Sequence, residues 1–435
     1  MKRILVLLLM IFLALGLYAG GKQAPATEAA AGKKPVTLNV LVRDWVIATD
    51  APFWATKTTM EQKYPHVTIE IEGLGYDDMH NKQQLSIGSN QQLDVIQVDN
   101  PFLSGYVEAG LIVSISDMMN RDKKMLEDML PVYRKTTMWK GDYYGYWLAT
   151  DTRVLAWNKK FVAAAGLDPE KGPETYDELI ANAVKAQNPP DYHGYYVPLG
   201  SWEATVEKWL TPLYSLGGTI TDADFGTPTK AVLNGTEGVR AVQLYVDMVN
   251  KHKIMSPVAF QSDEADEVFW GQKVVYCYDP YPWWSASESG WSMEKYYEHF
   301  GKSLNPRFKD GKTATQSGGY LLCIAKTTAD AELSWEFIKT VMQPENLLEL
   351  YIAEMQLPVT ASMSKYIGTL TKIVPYYELY LESQKYTHFN PFIPQWAKML
   401  DPIYTAIQKA TLQKATAQEA LNEAADQINA ILASK

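Results

Sequence analysis

Short stretches of alternating hydrophobicity, separated by longer stretches with helix-start signals, recur along this chain and leave few architectures open. Val36, Leu38, Val40 and Val42 alternate with Thr37, Asn39 and Leu41, and Val67, Ile69 and Ile71 repeat the period of two. That period puts successive side chains on opposite faces of a strand. Shorter apolar runs follow at "DVIQVD" (94–99), "VLAW" (154–157), "VVYCY" (274–278) and "YLLCIA" (320–325). Between them, Thr175 with Glu178 and Thr416 with Glu419 match the capping box, in which hydroxyl and carboxylate satisfy each other's orphan amides. After the second box, Leu421, Ala424, Ala425, Ile428, Ile431 and Leu432 fall on one face of a terminal helix. Strands alternating with helices predict an α/β architecture of largely parallel sheets covered by helices. With 47% hydrophobic residues and about 400 positions after Pro35, the chain can fill a large core and is expected to divide into two lobes.

The N-terminus speaks to compartment. "MKRILVLLLMIFLALGLYAGGKQ" carries Lys2 and Arg3, then a fifteen-residue apolar run from Ile4 to Tyr18, then small residues. That run is short for a membrane span and fits a secretory signal peptide over residues 1–20, followed by a flexible Ala, Gly and Lys-rich leader over 21–35. The expectation is export to a periplasmic or extracellular location. The first cysteine is Cys277, so a lipid anchor near the cleavage site has no thiol to be built on. Losing Lys2 and Arg3 moves the formal charge from −10 to −12, which argues against nucleic acid as a partner. Cys277 and Cys323 sit in apolar contexts that suit buried free thiols, although an exported protein can also pair them.

Sequence signals for catalysis or metal binding are absent. "GKS" (301–303) and "GKT" (311–313) lack the upstream glycine of a phosphate loop, those positions being Tyr296 and Pro306. "GLGYDD" (73–78) lacks the third glycine of a dinucleotide fingerprint, and no G-x-S-x-G occurs. The six histidines, at 66, 80, 193, 252, 299 and 388, never fall at helical or hairpin spacing, so no zinc site is indicated. "TDADFG" (221–226) reads as a polar turn. No cofactor is implied.

Aromatic residues are the distinguishing content: 13 Trp and 27 Tyr, many beside acids and amides. "YCYDPYPWWSAS" (276–287) packs five rings, two prolines and an acid into a segment that proline keeps out of a helix. Tyr and Trp offer an apolar face with a polar edge, which matches the C–H face and hydroxyl rim of a sugar. On that reading Tyr281, Trp283 and Trp284 are stacking platforms and Asp279 accepts from hydroxyls. The alternative is that the rings pack an interface between lobes.

Six blocks, in order and covering nearly all of the chain after the leader, resemble the extracellular solute-binding proteins of ABC importers, in the branch that includes maltose-binding proteins. They are "QQLDVIQVDNPFLSGYVEAGLIVSISDM", "YGYWLATDTRVLAWNKKFVAAAGLDPEKGPETYDELIANA", "AVLNGTEGVRAVQLYVDMV", "VFWGQKVVYCYDPYPWW", "SGGYLLCIAKTTADAELSWEFIKTVMQPENLLELYIAEMQLPV" and "IPQWAKMLDPIYTAIQKA" with "TAQEALNEAADQIN". The resemblance implies two lobes with a ligand cleft between them and three chain crossings, placed near 149–153, 305–315 and 357–362. Lobe 1 is then 36–148 plus 306–358, and lobe 2 is 149–305 plus 359–435. Carried over position by position, the ligand contacts are Trp45, Asp99, Asn100, Asp151, Arg153, Trp202, Glu203, Asp279, Tyr281, Trp283, Trp284, Gly318, Gly319 and Tyr320, with Trp396 a further position. One departure is Trp147, where the family usually has proline. The implied role is capture of a carbohydrate, oligosaccharide-sized by analogy, by a monomer that delivers it to membrane permease subunits served by a separate ATPase. No covalent chemistry is implied. Rival readings are a glycoside hydrolase, which needs two carboxylates about 5–9.5 Å apart and for which Asp151 and Asp279 are the candidates, a binder of a non-sugar solute, and a chemosensory protein.

Overall fold

The computed structural model describes residues 34–434 except 51, 201, 257–264, 279–285 and 287–288. The stretches expected from the sequence to be a signal peptide (1–20) and most of a flexible leader (21–35) therefore lie outside the described residues, as do Asp279, Tyr281, Trp283 and Trp284.

Two sheets organise the chain. The first has the strand order Val67–Leu74, Val36–Arg43, Val95–Asp99, Gly319–Ile324, Tyr146–Thr150. The second runs Phe300–Ser303, Leu155–Asn158, Val274–Tyr278, His193–Tyr196. Within the first, Val36 pairs with Val67 in a parallel ladder, whereas Gly319–Ile324 runs antiparallel to both of its neighbours. The second sheet also mixes the two: His193–Tyr196 is parallel to Val274–Tyr278, and the remaining pairs are antiparallel. The reversed direction follows from connectivity, because Gly319–Ile324 enters the first sheet from the other lobe rather than through a helical crossover.

Each sheet has its own apolar core. Val40, Ile69, Val98, Leu148, Trp335 and Tyr351 are buried in the first, and Leu179, Trp209, Leu213, Tyr245, Ile403 and Leu421 in the second. Core membership locates where the chain changes lobe. Val154 belongs to the first core and Leu155 to the second; Ala314 to the second and Leu321 to the first; Phe392 to the first and Ile393 to the second. The last change differs from the position read from the sequence. Leu357, Val359, Met363, Leu370, Val374, Tyr377 and Tyr380 all fill the first core, so the stretch after 358 stays with the first sheet until Phe392. Likewise Phe308, counted with lobe 1 from the sequence, packs against the second core through Tyr176, ring centres 5.0 Å apart. Between the lobes, Thr315–Ser317 and Thr387–Phe389 pair as a two-stranded parallel ribbon.

Helix starts follow the sequence signals. Thr416 accepts from the Glu419 amide at 3.2 Å while Glu419 accepts from the Thr416 amide at 3.0 Å, a complete capping box. Thr175 accepts from Glu178 at 3.2 Å, but the Glu178 carboxylate reaches back to the Glu174 amide, at 2.8 Å, instead of that of Thr175. Trp147 is fully buried in the first core, its indole N–H donating to the Tyr133 carbonyl at 2.9 Å and its ring against Phe389. It thereby fixes the first lobe to the ribbon between lobes. Cys277 and Cys323 form no disulfide with each other and are buried in different cores, Cys323 in the first and Cys277 in a smaller cluster under the second sheet.

Candidate functional site

Strand polarity brings the site together. Val36–Arg43 and Val95–Asp99 are parallel, Gly319–Ile324 is antiparallel to Val95–Asp99, and Tyr146–Thr150 is antiparallel to Gly319–Ile324. One edge of the first sheet therefore collects the segments at 43–45, 99–100, 150–151 and 318–320, the carboxyl edge where open α/β sheets bind ligands. Tyr320 stands directly opposite Asp99 in the ladder, so their side chains share a face. The Tyr320 hydroxyl lies 3.4 Å from Arg43 Nη1, and its ring centre is 5.7 Å from that of Trp45. Asp99 is buried, at 8% exposure, while Trp45 and Tyr320 are half-buried. Burial first, then the charges of Asp99, Asp151 and Glu203, push the Tyr320 hydroxyl well above the ordinary phenol range, with Arg43 pulling the other way.

Asp151 and Arg153 lie in the first crossing, outside any helix or strand, so Asp151 caps no helix. They form an ion pair, with side chains 24% and 12% exposed. Asp151 Oδ1 also accepts from the Gly318 amide at 3.3 Å, and its carbonyl accepts from the Ser317 hydroxyl at 2.6 Å. The Thr150 hydroxyl donates to the Gly318 carbonyl at 2.8 Å. The Arg153 carbonyl accepts from Asn305 at 2.8 Å and Ser383 at 3.2 Å. Three crossing segments are thus tied at one point. Gly319 occupies φ +138°, and a Cβ there would lie 2.4 Å from the Ala149 carbonyl oxygen, so only glycine fits. Gly318 is not so constrained; a Cβ there meets only Gln316 Nε2, at 3.9 Å.

The second lobe supplies the helix Trp202–Ser215, with Trp202 and Glu203 in its first turn, and Glu203 is close enough to act on Tyr320. Tyr278 ends its strand fully packed, its hydroxyl 2.6 Å from that of Thr211. Tyr276 is buried as well, so two of the five rings in "YCYDPYPWWSAS" are core rings. Two other positions are structural. Asn100 is 1% exposed and its Nδ2 donates to the Thr136 carbonyl at 3.0 Å, bracing the loop after Asp99. Trp396 is fully buried in the second core.

Two features escaped the sequence reading. Gln316, fully buried, donates to Asn390 at 3.0 Å, and Asn390 donates to Glu207 at 3.2 Å, a polar chain that links the second and third crossings to the second lobe. A cavity of about 490 Å³ opens where the lobes meet, lined by His80, Asn81, Gln84 and Phe102 of the first and Pro394 and Ala397 of the second. That volume falls in the range of roughly 300–1,000 Å³ typical of small-molecule sites. His80 Nδ1 is 3.0 Å from the Tyr106 hydroxyl, and its ring meets Phe102 edge-on at 5.2 Å. Burial, with Arg43 nearby, pushes the His80 imidazole down to about 4, so it is neutral at physiological pH. Nothing in the spacing of the histidines marks His80, and Pro394 joins it only through tertiary folding.

Among the described residues no helix is long and apolar enough to cross a membrane. A putative binding protein of Brucella abortus (strain 2308) is 23% identical over 425 residues, spanning 96% of this chain and 98% of that protein. A probable amino-acid ABC transporter periplasmic-binding protein of Sinorhizobium fredii is 31% identical over 157 residues, 36% of this chain and 32% of that one. The sn-glycerol-3-phosphate-binding periplasmic protein of Pectobacterium atrosepticum is 26% identical over 232 residues, 49% of this chain and 47% of that one. Among solved structures, an ABC transporter solute-binding protein of Thermotoga lettingae bound with α-D-tagatose shares the fold at TM-score 0.78 and 22% identity, covering 92% of this chain and all (100%) of that one. A Listeria monocytogenes ABC substrate-binding protein in complex with cycloalternan does so at TM-score 0.78 and 17% identity, with 92% and 100% covered. The sequence pattern shared by bacterial extracellular solute-binding proteins matches residues 44–347, and the chain belongs to that family.

Proposed function

We propose that this protein is the substrate-binding component of an ABC importer and takes a carbohydrate into the cleft between its lobes. The observation that carries the reading is the convergence, on one sheet edge, of half-buried rings with carboxylates: Trp45 and Tyr320 beside Asp99 and Asp151, faced by Glu203 from the other lobe. Rings stack on the C–H face of a sugar, and carboxylates accept from its hydroxyls. Asp279, Tyr281, Trp283 and Trp284, which lie outside the described residues, are kept in this proposal as sugar contacts on the sequence reading alone. Relatives in the fold named for tagatose, cycloalternan and maltose support a sugar ligand.

The mechanism follows from the three crossings. Ligand held by one lobe gains contacts from the other only on closure, so it shifts the population toward the closed form by its differential affinity. The closed monomer is then read by permease subunits in the membrane, with ATP hydrolysed by a separate subunit. The chain is exported by its N-terminal signal peptide and performs no catalysis. A thermal-shift screen of the chain from residue 21 against mono- and oligosaccharides, with amino acids and sn-glycerol 3-phosphate as controls, tests this, because a ligand of the native state raises the melting point. A shift by a saccharide, lost in Asp151→Ala, is the expected result; a shift by amino acids alone would replace the carbohydrate reading.

A further inference from the structure

Resting on the carbohydrate reading, we infer that Glu207 is a ligand contact of the second lobe, accepting from a hydroxyl of the bound solute, and that Gln316 and Asn390 position it. Its place follows from the helix Trp202–Ser215. Glu207, Thr211 and Tyr214 fall at helical spacing on one face, and that face lies against the ribbon between the lobes. Thr211 Oγ1 accepts from the Gln316 amide at 3.1 Å, and the Tyr214 hydroxyl donates to the Phe389 carbonyl at 3.0 Å. One turn earlier, Glu207 meets the side chains of Gln316 and Asn390, which come from the second and third crossings. Gln316 Nε2 in turn lies 3.9 Å from the point where a Cβ on Gly318 would stand, and the Gly318 amide is the one that donates to Asp151. The Glu207 carboxylate thus stands beside the junction that holds Asp151.

Its two oxygens differ in their surroundings. Oε1 accepts from Asn390 Nδ2 at 3.2 Å and from Gln316 Nε2 at 3.4 Å, which sets the orientation of the group. Oε2 accepts from no described residue, and it is not sealed from solvent although Glu207 is half-buried. No described Lys or Arg forms an ion pair with Glu207. Neutral amides therefore orient the carboxylate and leave its charge for a donor that arrives with the ligand. Gln316 is fully buried, and its Oε1 lacks a partner among the described residues. An orphaned buried carbonyl is unfavourable, and what the residue supplies against that cost is Nε2, shared between Asn390 and Glu207.

A carboxylate oriented in this way is an acceptor only. A free hydroxyl satisfies it, whereas an ether oxygen at the same point brings no donor and meets its negative charge.

The test is isothermal titration of the chain from residue 21 with maltose, mannobiose and tagatose, and with amino acids and sn-glycerol 3-phosphate as controls, in the unaltered protein and in Glu207→Gln. Because two amides go on donating to the Oε1 position, the glutamine carbonyl keeps that place and its NH2 replaces Oε2, a donor where the ligand needs an acceptor. The expected result is a saccharide dissociation constant raised about 10- to 100-fold, the size of a lost hydrogen bond to a charged group, at a melting point within about 2 °C of the unaltered protein. Glu207→Ala, which leaves the Gln316–Asn390 bond in place, is the second variant and should weaken binding at least as much. Asn390→Ala is expected to weaken binding about fivefold in the unaltered protein and less than about twofold in the Glu207→Gln background, because a positioning residue acts only through the group it positions. Equal losses in the two backgrounds would mark Asn390 as merely structural and overturn the positioning role. A saccharide that binds the unaltered protein and both Glu207 variants within about threefold refutes the contact and leaves the carbohydrate reading intact. If amino acids or sn-glycerol 3-phosphate bind and no saccharide does, the carbohydrate reading falls and the inference falls with it.

Discussion

Replacing Gly319 with alanine puts a methyl group where the fold has no room for one. The backbone there sits at φ +138°, and the new Cβ would stand 2.4 Å from the Ala149 carbonyl oxygen and 2.6 Å from the Trp147 ring. The first obstacle is backbone and the second is a fully buried indole held by a hydrogen bond, so neither moves cheaply. A non-glycine residue in such a region costs about 1–3 kcal/mol, and crowding a packed core about 1–3 kcal/mol more. The expected loss is about 3 kcal/mol, which lowers the melting temperature by roughly 6–12 °C for a lobe of this size. Gly318→Ala is the internal control, since its Cβ meets only the far end of Gln316 at 3.9 Å, and it should change stability by less than about 1 kcal/mol. Urea unfolding followed by tryptophan fluorescence measures both. Equal stabilities for the two variants would refute the reasoning, because adjacent glycines would then be interchangeable despite their different surroundings.

Thr416→Ala should cost about 1 kcal/mol by removing one arm of the capping box, with ligand affinity unchanged, as read from paired melting and titration curves. Trp45→Ala should weaken saccharide binding by about 0.5–1.5 kcal/mol while leaving the melting point of the free protein within about 2 °C, since the ring is half-buried and touches Tyr320 at the cleft. His80 has its imidazole depressed from 6.5 to about 4 by burial and by Arg43, so the folded state binds fewer protons than the unfolded one. Stability is therefore lost as pH falls from about 6.5 toward 4, by about 3 kcal/mol at the low end, and melting curves of the native protein and His80→Gln over that window should converge as pH drops.

Where a strand alternates or carries a dense β-branched run, as at Val36–Arg43, Val67–Leu74 and Val95–Asp99, local sequence was enough to find it. Tyr146–Thr150, His193–Tyr196 and Phe300–Ser303 were passed over because they are short, lack alternation and carry glycine, tryptophan or lysine where β-branched residues would signal a strand. The changes of lobe were legible only in part. Val359 through Tyr380 is apolar in a way that fits either core, and only the three-dimensional packing assigns it to the first. At the site, Trp45, Asp99, Asp151 and Tyr320 were named through the resemblance to solute-binding proteins, and in the fold strand direction delivers their segments to one edge of the first sheet. Asn100 looked like a ligand contact there, yet its side chain is taken up by the Thr136 carbonyl, a partner 36 positions away that no local pattern announces.

The strand Gly319–Ile324 lies between Val95–Asp99 and Tyr146–Thr150, so Tyr146–Thr150 cannot find its neighbour in this sheet, nor Val95–Asp99 its second one beside Val36–Arg43, until residue 324 is present. In a chain synthesised or threaded from its N-terminus, the first lobe thus stays open, with the edges at Asp99 and Thr150 unpaired, through most of the length. Closure then waits on contacts between segments far apart in sequence, which is the slow kind of folding. The same interleaving that joins the two lobes through several crossings delays collapse of the first lobe until most of the chain is available.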